Sequence, residues 1–482
     1  MKHIIYIWIL CFPLFVQAQD CDCLSVYKWV KQIIEQNDAG YTYALEQKGV
    51  QTYATHNSEI EERITLVKDN VQCNELLSEW LSFFRSGHIE VAYTPQAPPA
   101  KPSKAALKAK FTNWETVDVD ISAFQKQVAN QTYDDFRGIW ETGSGYQIGI
   151  VKEGEEYIGF VIKAKNPYWS EKQVKLRIKP SKSGWSARYY MQDHSERVFD
   201  EGVGMIGKDH MQIGDDFLLM NRLDASVDPS TEVGRYIKSI FASEPYYEKI
   251  DAQTAYIRIP SFAYQNKKAI DKLVAKNFEE ITQTPNLIID IRGNGGGSDA
   301  SYNSIIPLLY THPIRTPGIE FYASELNKQS MLGFATNERY DEDTRAHAQR
   351  IYDALDGKEG TFVNVFEEEA STLTLDTVYQ YPSQVAILMH KGNYSSAEQF
   401  LLDAMQSQKV KLMGTSTGGA IDISNMTAAT SPCGDFQLAY ALSRSLRIPD
   451  MAIDGHGIQP DIFLDSSIPK YHWITFAQEF LK

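Results

Sequence analysis

The amino-acid sequence predicts an α/β domain with a largely parallel sheet, preceded by a helical N-terminal region and an antiparallel β domain. Three observations carry this. From about residue 217 onward, strand-like apolar runs alternate with helical patterns: "TAYIRIPSF", "NKKAIDKLVAKNFEEIT", "NLIIDI", "SDASYNSIIPLLY", "QVAILMH". Such alternation builds parallel sheets. Between about 130 and 215 the segments are short, rich in β-branched and aromatic residues, and set about ten residues apart by Gly and Asn-Pro, the texture of an antiparallel barrel or sandwich. Residues 24–85 place apolar side chains at helical spacing in "LSVYKWVKQIIEQN" and "VQCNELLSEWLSFFRSG".

At 482 residues the chain is too long for one compact core, and two or three domains are expected. Lys2 precedes an apolar stretch from Ile4 to Val16 that closes on Val16-Gln17-Ala18. Residues 1–18 therefore read as a secretory signal peptide, with Gln19 as the mature start and a periplasmic or extracellular destination. Residues 19–110 form the helical region, which carries His88 and ends in the linker "YTPQAPPAKPSK" (93–104). Residues 111–216 form the β-rich domain and hold no catalytic constellation, and 217–482 form the α/β core. No later run reaches the roughly 18 apolar residues that span a bilayer, so no stable membrane insertion is expected. The net charge of −15 argues against nucleic acid or an anionic membrane surface as the main partner. Oligomeric state is left open.

Four cysteines follow the signal segment: Cys21, Cys23, Cys73 and Cys433. In an oxidising compartment Cys73 is expected to pair with Cys21 or Cys23, while Cys433 has no evident partner. The C-x-C pair lacks a matching His/Cys pair nearby, so no metal is expected.

The chemistry centres on "MHKGNYSSAEQFLLDAMQS" (389–407), where a buried strand gives way to a helix at Ser395-Ser396. A serine there lies beside unpaired N–H groups of the first helical turn, which favour negative charge. Taken alone, Ser395 and Glu398 also fit a simple capping box. Three further stretches accompany it. "LIIDIRGNGGGSDA" (287–300) runs a strand into Asp290, Arg292, Asn294 and Gly295–Gly297, without the lysine or the spacing of a phosphate-binding loop. "FRSGHIEVAY" carries His88, and "AIDGHGIQPDIFLD" carries Asp454.

Together these stretches resemble the C-terminal-processing, tail-specific and tricorn-core serine peptidases. The shared pattern is an Asp-x-Arg-x-Asn-x-Gly-Gly loop, a Ser-x-x-Glu helix start and Gly-x-x-Pro-Asp near the end. Here these are Asp290 to Gly297, Ser395 to Glu398, and Gly457 to Asp461, and the resemblance spans roughly 255–465. It implies a ClpP/crotonase-like catalytic domain and a peptide or protein substrate, with no cofactor. It implies Ser395 as nucleophile, Ser396 with Gly296 and Gly297 as the oxyanion hole, and Asp290, Arg292, Asn294 and Glu398 as the structural motif.

The tail-specific branch uses a lysine base about 25 positions after the serine. Ala420 stands there, and Lys409 and Lys411 are out of register. The tricorn-type branch uses an upstream histidine and a C-terminal acid, which His88 and Asp454 match. That family usually has Glu where Asp454 stands, and a serine where Gly87 precedes His88. His456 and His390 are rival bases. Ser416 in "GTSTG" satisfies the G-x-S-x-G pattern, but no helix is expected after it. A catalytically silent peptide-binding protein and a non-peptidase esterase remain alternatives.

Overall fold

A computed structural model describes residues 21–95, 103–131, 133–182, 184–214 and 217–482. The signal peptide read over 1–18 and residues 96–102 of the linker lie outside the described residues.

The chain divides into two units. One joins the N-terminal segment to residues 315–372 and 419–456; the other joins 99–314 to 373–418 and 457–482. Residues 315–372 and 419–456, read from the sequence as part of the α/β core, therefore group with the N-terminal helices.

In the first unit, the helix Cys23–Asn37 buries Val26, Tyr27, Val30 and Ile34, one stripe at helical period, and Asp22 caps it by accepting from Ser25 N–H. Asp69 caps the helix Asn70–Ser82 in the same way, and Cys73, Leu76, Leu77, Trp80 and Leu81 face inward. Trp80 is fully buried between Tyr27, Tyr53 and Phe84, with its indole N–H on Asn57 Oδ1 at 2.7 Å. The strand Phe436–Ser445 organises the sheet of this unit. It pairs along its length with Ile423–Thr430, and on its other side with Glu90–Tyr93 and Ile319–Tyr322, all antiparallel. Cys23 bonds to Cys73, within the expected choice. Cys433, for which the sequence showed no evident partner, bonds to Cys21 across a separation of 412 residues.

The second unit holds two sheets. Among the described residues, nine antiparallel strands between Gly138 and Arg222 form one continuous sheet, neither the two packed sheets of a sandwich nor a ladder closed into a barrel. Alternation along its strands sends Trp140, Ile148, Leu176 and Met220 to one core, and Ile139, Phe160 and Ile162 to another with Phe124 of the helix Ile121–Ala129.

The other sheet runs in the order Tyr246–Lys249, Thr254–Arg258, Asn286–Asp290, Gln384–Met389, Val410–Gly414, Ile462–Phe463. Its first strand is antiparallel and the rest are parallel. Thr254–Arg258 and Asn286–Asp290 are buried at every position, which explains their unbroken apolar texture. The helix expected over 298–310 is only a 3-10 turn, Asp299–Ser301, and a short helix, Ile306–Leu309. Ser, Asp and Asn compete with a helical backbone at its start, and Pro307 is tolerated only in a first turn.

Candidate active site

Loops leave the carboxyl ends of three neighbouring parallel strands after Asp290, Met389 and Gly414, the edge where open α/β sheets place their chemistry. In the first loop, Arg292 grips the buried Asp290 carboxylate with Nε at 2.9 Å and Nη2 at 2.6 Å, and the Tyr256 hydroxyl donates to it at 2.9 Å. Burial alone would raise this carboxyl, but Arg292 and Arg258 hold it below the ordinary carboxylate range. Asn294 Oδ1 accepts from Phe262 N–H at 3.1 Å and Gly296 N–H at 2.9 Å, which folds the glycines back toward the serine.

Ser395 has φ 55° and ψ −129°. Such a conformation costs a non-glycine residue about 1–3 kcal/mol. A serine that merely caps a helix takes extended angles, as the capping residues Asp22, Asp69, Thr231 and Ser324 all do here. Ser395 therefore departs in its backbone angles from the caps used elsewhere in the chain, although it still closes a capping box with Glu398. Its N–H donates to Glu398 Oε2 at 3.2 Å, and Glu398 Oε1 accepts from Thr417 Oγ1 at 2.5 Å. Thr417 Oγ1 in turn accepts from Ile458 N–H at 2.7 Å, so the Gly-x-x-Pro-Asp segment docks on the same brace.

Gly296, at φ +95°, packs against this turn: a Cβ there would lie 2.8 Å from both Ser395 Cβ and Ser396 N. Gly296 N–H is taken by Asn294. For the amides of Ser396 and Gly297 no acceptor is present among the described residues. Gly296→Ala should consequently lower kcat/KM on the order of 10²-fold by displacing the serine turn. The cost in stability should stay within about 1–3 kcal/mol. Wild-type kcat/KM in this variant, with an unchanged melt, would contradict the close approach.

The sequence passed over Asn393, which joins the two loops. Its Oδ1 accepts from His390 N–H, and its Nδ2 donates to Ile291 O and Asn294 O. The rivals are occupied otherwise. His390 Nδ1 accepts from Gly392 N–H at 2.7 Å inside the turn, and Ser416 donates to Gln459 at 2.9 Å with no helix after it. Lys411 is exposed beside Asp461. Lys409 is half-buried, its Nζ has no hydrogen-bond partner among the described residues, and burial pushes it down to about 8.

His88 and Asp454 lie in the first unit. His88 has φ 55°, held by Arg85, whose Nη2 donates to His88 O at 2.7 Å while the guanidinium also grips buried Asp38. His88 Nδ1 lies 2.7 Å from Ile423 O. A carbonyl only accepts, so Nδ1 carries the proton and Nε2 is the basic nitrogen of the neutral ring. Burial lowers the His88 pKa from its ordinary value; the bond to Ile423 opposes this and Arg85 adds to it.

Asp454 bonds to backbone rather than to the imidazole. Its Oδ1 accepts from Ile421 N–H at 2.6 Å and Asp422 N–H at 2.8 Å, and its Oδ2 from Ile423 N–H at 3.3 Å. Burial and the neighbouring Asp422 push it up to about 6 against those bonds. Two departures from the family pattern meet here: a Cβ on Gly87 would lie 2.5 Å from Ala420 Cβ. The serine that the family pattern places before the histidine has no room at 87 while Ala420 stays in place. His456 is exposed.

Residues 253–464 match the model of peptidase family S41, and this match supports a serine-type peptidase. Among solved structures it is similar to mature CPAF at 11% identity and TM-score 0.51, covering 96% of each chain. It is also similar to mature CPAF complexed with lactacystin, at 12% identity and TM-score 0.52, covering 96% of this chain and 97% of that one. At such identities the likeness is one of fold. No curated protein matches the chain.

Proposed function

We propose that this protein is an exported serine peptidase with a ClpP/crotonase-like catalytic domain. It cleaves peptide or protein substrates through Ser395, with His88 as general base and Asp454 as the acid behind it. The observation that carries the reading is the backbone of Ser395: a strained turn under a glycine loop is unnecessary for a cap and suits a presented nucleophile.

The chemistry follows from the groups. A serine hydroxyl attacks poorly until a base removes its proton. The neutral His88 ring, with its proton on Nδ1, offers Nε2 for that task. The oxyanion formed on the substrate carbonyl takes the amides of Ser396 and Gly297. The imidazolium then protonates the leaving amine, and water releases the acyl group by the same steps in reverse. The reading requires no metal or cofactor. Export is supported by two disulfides, Cys21–Cys433 and Cys23–Cys73, which persist in oxidising compartments. No helix of the described residues is long and apolar enough to cross a membrane.

A fluorophosphonate probe should label the protein at Ser395, mapped by mass spectrometry, and matched amide and ester substrates should both be cleaved. Labelling at Ser396 or Ser416 would overturn the nucleophile. Absence of labelling would leave a silent binding protein, and ester turnover without amide turnover would make it an esterase.

A further inference from the structure

We propose that Asp422, held by Arg447, is a positioning residue for the His88 imidazole, fixing the Ile423 carbonyl that accepts from Nδ1–H. This rests on the reading of His88 as general base. Asp422 is fully buried, with Arg447 Nε on its Oδ1 at 2.9 Å. Its Oδ2 accepts from Ile453 N–H at 2.5 Å and Asp454 N–H at 2.8 Å. Asp454 reciprocates by accepting from the amides of Ile421, Asp422 and Ile423. Each aspartate thus binds the backbone that carries the other, and the two segments lock as one clamp.

The clamp matters because of what holds the ring. In a serine–histidine–acid site a carboxylate on Nδ1 supplies both orientation and charge. Here a neutral carbonyl occupies that place, so orientation depends on how well the carbonyl itself is fixed. Asp422 fixes it from two sides. Its side chain pins the 453–454 segment, and its own carbonyl accepts from Ser445 N–H at 2.7 Å. Ser445 ends the strand Phe436–Ser445, which also pairs with Glu90–Tyr93 just beyond His88. Ring and acceptor are therefore referenced to one strand. The charges that bear on the cluster are Arg447, the ion-paired Arg85 beside His88, and Asp454; Tyr43 titrates higher because of burial and then the two aspartates.

The test uses the full chain carrying ¹⁵N-histidine, with Asp422→Asn as the variant. Its kcat should fall on the order of 10²-fold, the scale of a displaced catalytic group, while KM changes little. The His88 ring should pass from the Nδ1–H tautomer to a mixture of both tautomers. Asp422→Asn leaves Arg447 buried without its counter-charge, so the double variant Asp422→Asn/Arg447→Met, which leaves no unpaired charge, carries the same test if the single variant does not fold. A wild-type Nδ1–H signal together with a wild-type kcat in a folded variant would overturn the proposal. If His88→Ala retains full activity, the base reading fails, and the tautomer measurement still decides the clamp. If His88→Ala is inactive while Asp422→Asn behaves as wild type, only the clamp fails.

Discussion

Ser395→Ala should reduce turnover of a peptide substrate on the order of 10⁶-fold, because removing one member of a catalytic set costs about as much as removing all of it. Ser396→Ala keeps the backbone N–H assigned to the oxyanion and should lose far less. Ser416→Ala should lose nothing measurable, since that hydroxyl is engaged with Gln459. A stability comparison separates the presented nucleophile from a helix cap. Alanine retains a Cβ at φ 55°, whereas glycine adopts that region freely. Ser395→Gly should therefore melt higher than Ser395→Ala, by the equivalent of about 1 kcal/mol. If Ser395 were a cap in extended geometry, glycine would hold no such advantage. Equal melting temperatures would contradict the strained backbone at Ser395, and a Ser395→Ala variant that keeps a tenth of its turnover would remove Ser395 from the chemistry.

Much of the parallel sheet was legible because its strands are buried on both faces and read as unbroken apolar runs, as in "NLIIDI" and "QVAILMH". The glycine loop and the serine turn were legible because motif and local structure coincide there. The interleaving of the two units was not. The strand Phe436–Ser445 pairs with Glu90–Tyr93 from the far end of the chain, and a pairing at that distance leaves no periodicity in either segment. The same reason hid the Cys21–Cys433 bond. Asn393, Thr417, Asp422 and Arg447 were passed over because a buried polar residue in a loop looks like any exposed one until its partners are known. The family pattern pointed to Asp454, but its bonding to the 421–423 backbone could only be read from the fold. The meeting of Gly87 with Ala420 joins two departures that the sequence showed separately, one before the histidine and one where a lysine base stands in the tail-specific branch.

The base is decided by the pH profile read together with variants. If the neutral His88 ring accepts the serine proton, kcat/KM should rise with pH through an apparent pKa below the ordinary 6.5, because burial lowers this imidazole. Burial and Asp422 push Asp454 up to about 6, so a role for it as a carboxylate would act in the same direction, and activity should be level by about pH 7. Lys409 supplies the contrast. Its amine, pushed down to about 8 by burial, would as a base produce a limb more than a unit higher, with activity still climbing past neutrality. His88→Ala should remove the low limb together with most of the activity, a loss on the order of 10⁴-fold or more. Lys409→Ala and Lys411→Ala should leave both untouched. Profile and variants decide jointly, because a pKa alone names no residue. A limb near 8 that survives in His88→Ala and vanishes in Lys409→Ala would return the enzyme to a serine–lysine mechanism, with His88 left as a structural residue hydrogen-bonded to Ile423.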